Sequence, residues 1–126
     1  MLKKLIALIC LCCVSQVFAA SEQSINEYTD EFIEALNART ELTAEEKKAL
    51  RPVLFESLNA REDVIASYAG QQGLSVKRQI RDALTPVNEN LQSKAQKILT
   101  PDQFDAFKQV QSRNQDAVRE RINRDF

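Results

Sequence analysis

The sequence contains no histidine and no tryptophan, and only two glycines, three cysteines and one methionine in 126 residues. Without histidine it lacks the commonest general base, the commonest pH switch near neutrality and the commonest transition-metal ligand. Cys10, Cys12 and Cys13 all fall in the first apolar stretch, and the methionine is Met1. Once that stretch is removed, no disulfide, thiol chemistry or soft metal ligand is left. Carboxylates are plentiful, but no pair of them stands in a motif of catalytic spacing. An enzyme is not expected. No catalytic residue, cofactor or resident metal is assigned, and only a weak carboxylate site for a hard cation stays open.

The beginning of the chain reads as a targeting segment. Lys3 and Lys4 precede an apolar run over 5–14, and Val17, Phe18 and Ala19 fit the small-residue cleavage rule. The run is shorter than the ~20 residues of a membrane span. Cleavage after Ala19, with Ala20 as a near alternative, is therefore expected rather than a retained anchor. A lipoprotein needs a small residue before its modified cysteine, whereas Cys10, Cys12 and Cys13 follow Ile9, Leu11 and Cys12. The expected organisation is a signal peptide over 1–19 and one helical domain over 20–126, located in the periplasm. Losing Lys3 and Lys4 leaves fifteen basic residues against eighteen acidic ones, a net charge of about −3. That balance argues against nucleic acid as a partner.

What the sequence has in abundance is helix signals. Ser24 precedes Glu27, Thr43 precedes Glu46, and Thr100 precedes Gln103, each with the spacing of a capping box. Pro101 follows Thr100 and suits a first helical position, where its missing N–H would have been an orphan. Leu99 and Phe104 stand at the staple positions on either side of that cap. Apolar residues then recur at three- and four-residue steps: Ile25, Tyr28, Phe32 and Leu36, then Leu50, Leu54 and Leu58, with Arg61 on the same stripe before Ile65. Ile80, Leu84, Val87 and Leu91 continue the pattern, as do Phe104, Phe107, Val110 and Ile122. The spacing predicts an all-α fold with helices near 24–39, 43–69, 74–98 and 101–122.

Gly70 and Gly73 share one gap, where the chain is expected to reverse into an antiparallel hairpin. Pro52 and Pro86 fall inside the second and third helices and should kink or split them. The expected form is a bent antiparallel hairpin with flanking helices. So thin a body would leave apolar stripe uncovered, which predicts a homodimer shaped as a cradle.

An internal repeat appears at an offset of 57 residues: Leu42-Thr43-Ala44-Glu45-Glu46 aligns with Leu99-Thr100-Pro101-Asp102-Gln103. A leucine-threonine pair with glutamine at N3, opening two helices, resembles the LTxxQ family of small periplasmic helical proteins, of the Spy and CpxP types. The second copy matches in full, while the first departs by carrying Glu46. The resemblance implies a dimeric cradle that binds unfolded or partly folded clients without ATP. Alternatively, it implies a regulator that binds one envelope partner, such as a sensor kinase domain. The motif residues are caps, so no site assignment comes with them.

Charge and aromatic placement supply the remaining candidates. Lys77, Arg78 and Arg81 form a basic start to the third helix and could attract acidic clients. Phe55 lies at the edge of its helix's stripe and is a candidate client or partner contact. Glu27, Asp30, Glu31 and Glu34 share one face of the first helix, either solvated or docked on a basic surface such as that around Lys77. Arg113, Arg119, Arg121 and Arg124 read as a solvated helix end that frays.

Overall fold

The computed structural model describes residues 22–126, and the expected signal segment with its cleavage site lies outside them. Helix α1 is described over 22–39, followed by α2 (Ala44–Ser67), α3 (Leu74–Ile98) and α4 (Pro101–Asp125). The fold is all-α, and the described residues contain no strand. No described helix is long and apolar enough to cross a membrane.

Two of the three expected capping boxes form. Thr43 and Thr100 have extended backbones, and their hydroxyls accept from the amides of Glu46 and Gln103 at 3.1 and 3.3 Å. The N3 side chains return the bond, accepting from the amides of Thr43 and Thr100 at 2.9 Å each. The third is the one expected at Ser24 and Glu27. The chain is already helical at residue 22, so Ser24 has no boundary to cap.

Neither proline splits its helix. Pro52 and Pro86 lie inside α2 and α3, which run through both of them. The carbonyls deprived of a donor belong to Lys48 and Asp82, both exposed residues, so water serves them. The α2–α3 turn needs its glycines for their backbone. Gly70 has φ +83° and Gly73 φ +113°, although a Cβ at either would meet nothing within 4 Å. Conformation, not space, fixes glycine there.

The helices run up, down, up and down. α2 packs on α3, and α3 on α4. α1 joins α2 through an Arg51–Asp30 ion pair, and α4 through the Phe32 and Phe107 rings, whose centroids are 5.3 Å apart. α2 and α4 therefore run parallel. All four helices feed one apolar cluster that includes Phe32, Leu36, Leu50, Leu54, Leu91 and Phe107. Towards the α2–α3 turn a second cluster joins Ile65, Ile80, Leu84 and Ile122. Most residues of the expected apolar stripes are buried within the single chain. Tyr28, expected in the core, is 40% exposed, with its ring over the Arg61 guanidinium at 5.5 Å.

Candidate functional site

The two boxes, 57 residues apart in sequence, are bonded to each other. Gln103 Nε2 donates to Glu46 Oε1 and to the Glu41 carbonyl, both at 3.0 Å. Gln103 thus accepts through Oε1 while donating twice through Nε2, a combination that only a carboxamide supplies. Glu46 needs only to accept, from Thr43 N–H and from Gln103. A second glutamate at 103 would face one carboxylate with another, which gives the Glu46–Gln103 difference a physical reason. The Thr43 amide, and then Gln103, hold the Glu46 carboxyl below its ordinary value. Leu42 and Leu99, the leucines of the two copies, are both buried in the main cluster. The motif is a structural clamp between the starts of α2 and α4.

Chemistry gathers further along the bundle, around a cavity of about 380 Å³ between α2, α3 and α4, with Phe32 of α1 also on its wall. Five carboxamide residues line it: Asn88, Gln92, Gln111, Asn114 and Gln115. Leu58, Leu84 and Ile122 give it apolar surface. Gln111 is held rigidly, accepting from Gln92 Nε2 at 2.6 Å and donating to the Asn88 carbonyl at 3.2 Å. Arg61, Arg81 and Arg119 contribute positive charge, against Glu89 as the one acid among the lining residues.

Arg61 occupies a core position of α2 and is 9% exposed. Its Nη2 donates to Glu62 Oε1 at 2.9 Å, and its Nη1 reaches Asn114 Oδ1 at only 3.5 Å. The buried Nε–H has no hydrogen-bond partner among the described residues. Arg121 grips both oxygens of Glu62 at 2.9 Å, tying α4 to α2. Burial pushes the Glu62 carboxyl up, but hydrogen bonds from Arg121 and Arg61, with their charges, outweigh this and hold it below its ordinary value. The Glu62 bond in turn raises the Arg121 guanidinium. Arg113, Arg119 and Arg124 are exposed, as expected of a solvated helix end, whereas Arg121 is anchored on Glu62 and α4 continues to Asp125.

The structure separates the candidate contact residues. Lys77 Nζ donates to the Asn123 carbonyl at 3.3 Å, and Arg81 Nη2 to Asn123 Oδ1 at 3.1 Å. Both therefore serve the end of α4, where a cation suits the free carbonyls and the helix dipole. Arg78 is exposed and Phe55 half-buried. Of the four, only Arg81 lines the main cavity. A second groove, of about 340 Å³, runs between α2 and α3 beside Pro86, and Phe55 does not line it. The acidic face of α1 is exposed, and Asp30 pairs with Arg51 rather than with the Lys77 region. Sequence reasoning missed the carboxamides, since Asn and Gln on helices are ordinarily solvated. Arg61 on an apolar stripe was the one available signal. Among the described residues no cluster of three or more His, Cys, Asp or Glu stands ready for a metal. Comparison with known proteins finds no matching family model, no similar curated protein and no similar solved structure.

Proposed function

We propose that this is an exported, non-enzymatic binding protein of the LTxxQ type, which holds segments of unfolded or partly folded proteins in the periplasm without ATP. The observation that carries this reading is the carboxamide lining of the α2–α3–α4 cavity. Every peptide unit of a client offers one donor and one acceptor. A carboxamide carries both, so a wall of them can meet a backbone whatever the client's sequence. The apolar surface of Leu58, Leu84 and Ile122 adds modest, non-directional attraction. Weak and sequence-tolerant contact is what a holdase needs.

A second reading has its own support. Among the described residues only Tyr28 and Leu74 are large hydrophobics with substantial exposure, at 40% and 73%. So little apolar surface suits a regulator that recognises one envelope partner, such as a sensor kinase domain. Light scattering with several unrelated denatured clients separates the two. A holdase should suppress aggregation of most of them near equimolar ratio, with no nucleotide added. Suppression of none, with tight binding to one envelope protein, would replace the first reading by the second. A homodimer belongs to the same proposal, and sedimentation of the purified protein at tens of micromolar tests it.

A further inference from the structure

We propose that the α2–α3–α4 cavity selects client segments bearing a carboxylate, with Arg61 as the counter-ion. This rests on the binding function proposed above and names the class of segment held. A guanidinium on an apolar stripe is strongly unfavourable unless its charge and its N–H groups are fully met. Those of Arg61 are not. Its Nε–H has no acceptor, its Nη1 makes only a 3.5 Å contact, and its Nη2 shares Glu62 with Arg121. Arg121 also pairs with Asp125 at 4.0 Å, which Arg124 shares, so three guanidiniums meet two carboxylates and one positive charge is left uncompensated.

The surroundings do not supply the missing charge. Arg81 and Arg119 add to the positive sign of the wall. Arg81 is bonded to a neutral Asn123, and Arg119 has a 3.6 Å ion pair with exposed Asp116. Glu89, the acid that lines the cavity, is exposed. The Tyr28 ring lies over the Arg61 guanidinium and attracts the cation without neutralising it. One unmet positive charge, carboxamide donors and an apolar floor match a singly charged carboxylate on a short aliphatic stem.

The test compares two labelled peptides, acetylated and amidated at their ends: one with two glutamates among leucines, and its glutamine counterpart. Fluorescence anisotropy with the purified protein should show the glutamate peptide binding roughly tenfold tighter, the usual scale for a hydrogen-bonded charge. The preference should change little with salt, because partly buried pairs are weakly screened. In nitrogen-15 NMR of the unmutated protein, the Arg61 Nε–H signal should move with the glutamate peptide and not with the glutamine one. Arg61→Met should abolish the preference, and the NMR arm stands even where that variant fails to fold. Equal affinities with an unmoved Arg61 signal would overturn the inference and leave the capture function intact. Binding of neither peptide, together with unrestrained client aggregation, would overturn both.

Discussion

The two ends of the bundle are built on different physics. At the end where α2 and α4 begin, the core is apolar, and its one buried glutamine, Gln103, has its hydrogen bonds met. Leu36, Leu50, Leu54, Ala95 and Phe107 are sealed under two capping boxes that are bonded to each other. Towards the α2–α3 turn the apolar cluster is smaller, and next to it lie a buried arginine, a buried glutamine and an open cavity. Dense apolar packing gives stability and a unique arrangement. Buried polar groups with incomplete partners cost stability. Placing them at one end lets the other end carry the fold and leaves the polar end to the proposed binding role.

The largest expected effect tests the apolar end. Phe107 is fully buried, tilted against Phe32 and stacked on Phe104 with centroids 6.0 Å apart. Phe107→Ala should cost about 3–5 kcal/mol in urea unfolding, as aromatic truncations in cores do. A loss below about 1 kcal/mol would mean that the main cluster does not carry the fold.

Glu62→Gln tests the polar end. The carboxylate serves two arginines with 19% of its side chain exposed, while Arg121 is a third exposed. The loss should therefore be about 2–3 kcal/mol at neutral pH, below the range for fully buried pairs. The pH dependence has a definite sign. The folded state holds the Glu62 carboxyl below its ordinary value of 4.5. Its contribution is present above that pH and is lost as pH falls through the lower, folded value. Stability of the unmutated protein should drop in that acid window, and the variant should lack that part of the drop. An unchanged acid limb would show that the ion network is decorative.

Much of this was legible in the sequence, but unevenly. The starts of α2 and α4 were fixed by Thr43 and Thr100 because capping is local, written within four residues. The same local rule misfired at Ser24, since a short pattern cannot reveal that helix already precedes it. The stripes showed which faces are buried and gave no sign that α1 closes the bundle, because pairing between helices is not encoded in the period of either. Arg61 stood out on the page as a charge among leucines. The cavity did not, since Asn88, Gln92, Gln111 and Asn114 acquire meaning only once α3 and α4 are antiparallel neighbours.

Substitutions at the clamp sharpen the contrast. Gln103 is 8% exposed, and its side chain joins two backbone groups and Glu46. Gln103→Ala strands the Glu41 carbonyl and the Thr100 amide and should cost about 2 kcal/mol. Thr100→Ala removes one cap hydroxyl and should cost about 1 kcal/mol. Both should leave client capture per folded molecule unchanged, as measured by light scattering. If either variant folds normally yet loses capture, the clamp is itself a contact surface.

The smallest effect decides what the basic start of α3 is for. Lys77 donates to the Asn123 carbonyl, one of the last carbonyls of α4, and Gly73 N–H donates to the Phe126 carbonyl at 3.1 Å. Together these tie the α2–α3 turn to the end of α4. A cation at a helix C-terminus contributes about 0.3–1 kcal/mol at low ionic strength. Lys77→Gln should therefore lower stability by a few tenths of a kcal/mol in dilute buffer. The difference should fade in about 0.5 M salt, where exposed charges are screened within a few ångströms. Hydrogen exchange at the last amides of α4 should quicken in step, while capture of acidic clients stays as it was. The opposite pattern, with stability unmoved and capture slowed in a salt-dependent way, would show that Lys77 faces partners. The line between the stabilising end and the proposed binding end would then have to be redrawn through α3.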